Sequence, residues 1–251
     1  MERKGRKVAE NSKSTNKFEE ELNNLGIVLT DQQKKQFDQY YELLTEWNKV
    51  MNLTGITDYD EVNLKHFTDS LTIVKICNMN QAESLIDIGT GAGFPGIPLK
   101  IVYPHLRVVL LDSLSKRIKF LDEVIRVLGL ENIETIHGRA EDFAKKKEYR
   151  EGFDLCVSRA VANLSTLSEY CLPFVKVGGS FISYKSGEAD EEIRQAEYAV
   201  KVLGGKISGV EKFQLPGTDM GRALVNLKKI KTTPKKFPRK AGLPSKEPII
   251  R

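Results

Sequence analysis

Through the first third of the chain, apolar positions recur at three- and four-residue steps. Phe37, Tyr40, Tyr41, Leu44, Trp47 and Met51 fall on one face of a long helix that Asp31 can cap. The text from Phe18 to about Asn78 reads as helical, and the aromatic stripe as a core face. After Asn80 the rhythm changes. Ser84–Ile88 is a short apolar run that ends at a glycine, followed by a helix over Ile97–Tyr103. Arg107–Leu111 reads as a strand and Ser115–Leu128 as an amphipathic helix closed by Gly129. Strands over Asn132–His137, Phe153–Ser158 and Ser180–Lys185 alternate with helices over Ala140–Lys147, Asn163–Val175 and Glu188–Leu203. Two last strands, Lys206–Phe213 and Arg222–Leu227, follow each other across the turn Pro216-Gly217-Thr218-Asp219. Alternating strands and helices predict an α/β fold with a mostly parallel sheet, and the final pair predicts a terminal β-hairpin within it. Four segments follow: a disordered basic stretch 1–17, a helical extension 18–80, an α/β domain 81–230 and a basic tail 231–251.

Length and composition narrow the classes. The chain has 251 residues, 40% of them hydrophobic, enough for one sizeable core plus an appendage. No run of about 18 apolar residues suggests a membrane span, and Met1–Lys17 lacks the apolar stretch of a signal peptide. Cys77, Cys156 and Cys171 share no close spacing and read as thiols of a cytoplasmic protein, two of them buried. Three scattered histidines give no metal-ligand spacing. The net charge of +5 hides an asymmetry: residues 1–17 carry +4, residues 228–251 carry +8, and the body is acidic at −7. Cationic ends suit a polyanionic partner, although solvated, inert tails would look the same.

The chemical signal is Asp87-Ile88-Gly89-Thr90-Gly91-Ala92-Gly93, between a strand and a helix that opens at Pro95. Glycines let the backbone turn sharply and let a ligand approach closely, and ligands bind at the carboxyl ends of such strands. Gly91-x-Gly93-x-x-Gly96 also fits a dinucleotide pattern, and Asp112 ends the next strand, where an acid can accept from ribose hydroxyls in either fold. Asp87 on the strand itself, Pro95 and Pro98 crowding the helix start, and the terminal hairpin favour S-adenosylmethionine over a nicotinamide cofactor. Arg159 ends the fourth strand at the ligand-bearing edge and can hold a cofactor carboxylate or an RNA phosphate. Lys185 ends the next strand at the same edge as a weaker RNA candidate. His66, beside Asp69 and Ser70, reads as structural.

Six segments occur in a fixed order: Trp47-Asn-Lys-Val-Met-Asn-Leu-Thr54, His66-Phe-Thr-Asp-Ser-Leu71, Asp87 through Gly96, Gly138-Arg139-Ala140-Glu141, Ser158-Arg159-Ala160 and Phe237-Pro-Arg-Lys-Ala-Gly-Leu-Pro244. Together they resemble the bacterial ribosomal small-subunit methyltransferase G family, also called glucose-inhibited division protein B, over roughly residues 18–250. The glycine loop alone would name only the superfamily. The resemblance implies the class I S-adenosylmethionine-dependent methyltransferase fold and methylation of N7 of one guanine, guanine 527, in 16S rRNA of the small ribosomal subunit. It implies cofactor contacts from Gly89, Phe94, Ala140, Glu141 and Arg159, with Gly91, Gly93 and Asp112 at the superfamily positions. Lys235, Lys236, Arg239 and Lys240 of the tail join Lys185 as candidate RNA contacts, in a tail read as lying outside the core. No membrane and no metal are implied. The alternative is an RNA-binding module that keeps the fold without turnover.

Overall fold

The computed structural model describes residues 17–159 and 161–250. The predicted disordered segment lies outside these residues but for Lys17, as does Ala160. A helix over residues 17–23 (α1) precedes α2, Asp31–Met51. The cap of α2 is Thr30 rather than Asp31. The Thr30 hydroxyl accepts from the Gln33 N–H while the Gln33 side chain accepts from the Thr30 N–H, a reciprocal box that satisfies two end donors. Helical structure then breaks at Asn52, whose left-handed backbone ends α2. It resumes as α3 (Tyr59–Val62), a π-helical stretch Asn63–Thr68 and α4 (Asp69–Leu71), so the predicted helical text is three pieces, broken at residues 24–30 and 52–58.

Seven strands form one sheet in the order β3-β2-β1-β4-β5-β7-β6. They are β1 Ser84–Ile88, β2 Arg107–Asp112, β3 Ile133–His137, β4 Phe153–Arg159, β5 Val175–Ser186, β6 Gly205–Gln214 and β7 Gly221–Lys229. The first five are parallel; β7 inserts antiparallel between β5 and β6, which is the predicted hairpin. All five residues of β1 are buried, as expected where helices cover both faces. On one face Leu85, Val108, Leu110 and Val157 pack with Phe37, Tyr40 and Leu44 of α2 and Phe120 of α6 (Ser115–Leu128). On the other, Ile86, Val109, Cys156 and Phe181 pack with Leu164, Leu167 and Cys171 of α8 (Leu164–Cys171) and Val200 of α9 (Asp190–Val202). Two shorter helices, α5 (Gly96–Val102) and α7 (Ala140–Phe143), follow β1 and β3.

Two further expectations are corrected. The helix predicted over Asn163–Val175 stops at Cys171 and passes through a 3₁₀ turn at Leu172–Phe174, because Pro173 cannot continue an α-helix. Gly178-Gly179 is therefore no helix cap; it lies inside β5, where a Cβ on Gly179 would stand 2.6 Å from the Asp154 carbonyl of β4. The second correction concerns the tail, which packs on the domain. Arg150 donates to the carbonyls of Thr233 and Phe237, Phe237 is buried, and Arg239 makes four hydrogen bonds, one from its backbone N–H and three from its guanidinium, to the buried carboxylate of Glu169 on α8. A short α10, Leu243–Lys246, ends the described tail.

Candidate active site

Parallel register brings the carboxyl ends of the strands to one edge, with Ile88 beside Leu111, Asp112 beside His137, and Arg159 beside Tyr184. Because β7 runs the other way, its first residues reach the same edge, and Arg222 stands opposite Ser186. Two cavities open there: Arg159 at the end of β4 lines one, and Val161 and Ala162, just beyond it in the chain, line the other.

The first, of about 250 Å³, is lined by Gly89, Gly138, Ala140, Glu141, Tyr170 and Ser245 among others, with Ile88, Leu111, Val161 and Ala162 as apolar walls and Ser113 as a hydroxyl. The glycine loop forms its floor with Gly89, Gly91 and Gly93 all at positive φ, a conformation that glycine adopts without penalty. A Cβ on Gly93 would stand 2.6 Å from both Ile97 Cδ1 and the Tyr40 hydroxyl, whereas one on Gly91 would meet nothing closer than 4.0 Å. The Tyr40 hydroxyl donates to the Ala92 carbonyl, so α2 holds the loop from outside. Asp87 holds it from below: its Oδ2 accepts from the Thr90 hydroxyl at 2.7 Å and the Gly96 N–H at 2.8 Å. Its Oδ1 is buried with no hydrogen-bond partner, and burial raises the carboxyl pKa to about 7. Asp112 Oδ2 accepts from the Gly91 N–H (2.9 Å) and from Arg117 (3.2 Å), and Oδ1 accepts from the Leu114 N–H (2.9 Å). Of the candidate cofactor residues, Gly89, Ala140 and Glu141 line this cavity; Gly91 and Asp112 fix the loop beside it. An apolar slot bordered by a carboxylate and by glycine backbone fits a nucleoside.

The second cavity, of about 400 Å³, is lined by Lys65, His66, Asp69, Arg159, Tyr184, Lys185 and Arg222 among others. Arg159 is half of a buried ion pair: Nη1 donates to Asp69 Oδ2 at 2.9 Å and to the Lys65 carbonyl at 3.1 Å. Arg222 Nε donates to the other oxygen, Asp69 Oδ1, at 3.0 Å. The guanidinium of Arg159 also lies over the Phe94 ring, 5.0 Å from its centroid, and Phe94 stacks on Tyr40 and His66. Phe94 and Arg159 are thus brought together, but beside the second cavity. Lys185 is committed to the Ala162 carbonyl and to Glu192.

The structure explains the Trp47–Thr54 and His66–Leu71 segments as one relay. Asn48 accepts from the Thr54 N–H (2.9 Å), Thr54 Oγ1 meets His66 Nε2 (2.8 Å), and His66 Nδ1 faces Arg159 Nη2 (3.3 Å). A cation facing Nδ1 leaves that nitrogen the acceptor and places the ring proton on Nε2. Burial and the Arg159 charge lower the His66 pKa to about 4, so the ring is neutral at physiological pH. Sequence reasoning missed Asp69, Tyr184 and Arg222 at the site, and Tyr170 and Ser245 in the first cavity. Ser113 and Gly138 follow the ends of β2 and β3 and were findable from the edge rule; Arg222 was not, since it comes 153 residues after Asp69. In the tail, Lys235, Lys236 and Lys240 are exposed, while Arg239 is spent on Glu169.

A family model described as rRNA small subunit methyltransferase G matches residues 33–220. A protein of Lachnoclostridium phytofermentans named ribosomal RNA small subunit methyltransferase G is 56% identical over 234 residues, 93% of this chain and 97% of that protein. A protein of the same name from Brevibacillus brevis is 53% identical over 233 residues, covering 93% and 98%. Among solved structures, a SAM-dependent methyltransferase from Aquifex aeolicus superposes with a TM-score of 0.52 over 70% of this chain and 96% of its own, at 17% identity, a likeness of fold.

Proposed function

The chain belongs to the rRNA small subunit methyltransferase G family, and from that premise we propose that it methylates N7 of guanine 527 in 16S rRNA. It is an S-adenosylmethionine-dependent methyltransferase acting on ribosomal RNA. When bound, the cofactor supplies an electrophilic methyl group on a sulfonium. Gly89, Ala140 and Glu141 hold the nucleoside side of it, and the loop fixed by Asp87 and Asp112 sets the floor. Activity on ribosomal RNA supports a cytoplasmic location, with rRNA or the small subunit as partner. No helix among the described residues is long and apolar enough to cross a membrane.

The observation that carries this reading is the pair of cavities at one sheet edge, one a nucleoside slot and the other lined by Lys65, Arg159, Lys185 and Arg222, four cations that pair with three carboxylates, Glu61, Asp69 and Glu192. Cations of this kind attract a polyanion and hold its phosphates. N7 lies on the edge that A-form RNA hides in a deep, narrow groove, so the target base must be unpaired or flipped. The N7 lone pair is present in the neutral base, so the protein need take up no proton. The site agrees: His66 is held neutral and fully hydrogen-bonded, and none of the three cysteines lines either cavity. Catalysis is then positioning and exclusion of water.

The test is single-turnover methyl transfer to 16S rRNA with enzyme in excess. The rate should show no limb from a general base between about pH 6 and 9, because guanine N7 does not titrate there and Asp87, which does at about 7, braces the loop and does not touch the acceptor. A limb near pH 6.5 that disappears in His66→Ala would make His66 a general base and overturn the positioning account.

A further inference from the structure

The first cavity has a wall that no strand end supplies. After β7 the chain returns across α8 and is fastened to it at successive points. Arg239 grips Glu169, Thr166 Oγ1 donates to the Pro244 carbonyl at 3.1 Å, and Ser165 Oγ donates to the Ile249 carbonyl at 2.7 Å. Between these anchors the segment turns inward. The Gly242 N–H donates to Glu141 Oε1 at 2.8 Å, at a φ of +82° that favours glycine. Ser245 Oγ donates to the Gly242 carbonyl at 3.0 Å, and Ser245 and Tyr170 both line the cavity with Gly89, Ala140 and Glu141.

Glu141 therefore ties the slot to the tail. One carboxylate oxygen latches the returning segment, and the side chain is 3% exposed. An acid so placed fixes the segment against the nucleoside slot whether or not it touches a ligand itself. The fastening is also stronger than a surface segment needs. Glu169 is 1% exposed, and a buried carboxylate stripped of its arginine is costly, so the strap and α8 hold each other in one arrangement.

Resting on the reading of this cavity as the cofactor site, we propose that residues 239–249 form a strap that completes it. Ser245 and Tyr170 make the wall against which the adenine nucleoside is bound, Glu141 is the latch, and the Arg239–Glu169 pair is the anchor. Ser245 and Tyr170 are binding residues for the nucleoside; Arg239 is a positioning residue that acts through the strap. A basic C-terminal segment thereby has an inner face toward the cofactor, while Lys240 and Lys246 lie on its exposed side.

The experiment is calorimetric titration of the full chain with S-adenosylhomocysteine and with 5′-methylthioadenosine, which lacks the amino-acid part. Ser245 is exposed, so Ser245→Trp and the milder Ser245→Leu fill the slot without touching the core. Both should weaken S-adenosylhomocysteine, Ser245→Trp by about tenfold or more, which is about 1.4 kcal/mol. Methylthioadenosine should lose the same factor, because the wall faces the nucleoside. The melting temperature without ligand should not move. Arg239→Gln should weaken both ligands too, and Arg239→Lys should recover part of the loss. Ala140→Trp, at a lining position outside the strap, is the control for the cavity itself. If Ala140→Trp abolishes binding while both Ser245 variants bind like the parent, the strap proposal is overturned and the cavity assignment stands. If neither position matters, both fall.

Discussion

At the scale of single residues, two buried titratable groups pull the pH dependence of stability in opposite directions. His66 has its pKa lowered to about 4 by burial and by Arg159. Between pH 4 and its unfolded value of about 6.5 the unfolded chain binds the extra proton, so stability rises with pH across that window and is lost as pH falls toward 4. Asp87 has its pKa raised to about 7 by burial. Between about 4 and 7 the unfolded chain has given its proton up while the folded one keeps it, so stability falls as pH rises through that window. The two slopes, each at most about 1.4 kcal/mol per pH unit, largely offset. Urea unfolding from pH 4.5 to 6.5 should therefore give a shallow dependence for the parent, a falling one for His66→Ala and a rising one for Asp87→Asn. Parallel curves for all three would show that neither group titrates as its surroundings dictate. Arg159→Ala should do most harm to turnover, about a hundredfold, since it strips the Asp69 pair and uncovers Phe94 beside the second cavity. A loss of less than threefold would remove Arg159 from the site. Arg159 was legible from its place at a strand end. Its partners were not, because an ion pair between distant residues leaves no local pattern.

At the scale of elements, the glycine loop separates backbone freedom from space. Gly91 and Gly93 share positive φ, but only at Gly93 would a Cβ meet its neighbours. Gly91→Ala should cost about 1 kcal/mol, the backbone penalty alone, and keep the fold. Gly93→Ala adds the clash with Ile97 and with Tyr40, and should cost at least twice as much in chemical denaturation. Equal costs would mean that the loop is not braced by α2. The same brace makes the α2 cap matter to the site. Thr30→Ala should lower stability by about 1 kcal/mol, read as a shifted urea midpoint at unchanged slope. Elements with a strong period and a plain stop were legible: Ser115–Leu128 ends at Gly129 in the left-handed conformation, as the text predicts. The α8 region was not, because a continuous apolar run hides the point at which Pro173 turns helix into strand. Nor was the break at Asn52, a left-handed residue that is not glycine.

At the scale of the whole molecule, the charge asymmetry was plain in the sequence, but the packing of the tail was not, since its lysines and prolines read as solvated. Its anchors, Phe237, Arg239 and Gly242, find partners that lie far back in the chain. Removing residues 231–251 should consequently cost stability and cofactor affinity as well as RNA affinity. Replacing Lys235, Lys236, Lys240 and Lys246 by Gln separates these effects. RNA binding should weaken and its salt dependence flatten, with the melting temperature and cofactor affinity unchanged. An unchanged salt slope would show the exposed lysines to be inert toward RNA. On the proposed reading, the architecture as a whole would bring the methyl donor and the RNA phosphates to one sheet edge, with a protonless nucleophile as the acceptor it suits. The most direct measurement is to map the methyl group on 16S rRNA after reaction with the purified protein and S-adenosylmethionine. N7-methylguanine opens under borohydride and lets aniline cut the chain, so a single cut at guanine 527 is expected, absent with Gly91→Val. Methyl incorporation without that cut, or a cut at another base, would contradict the account.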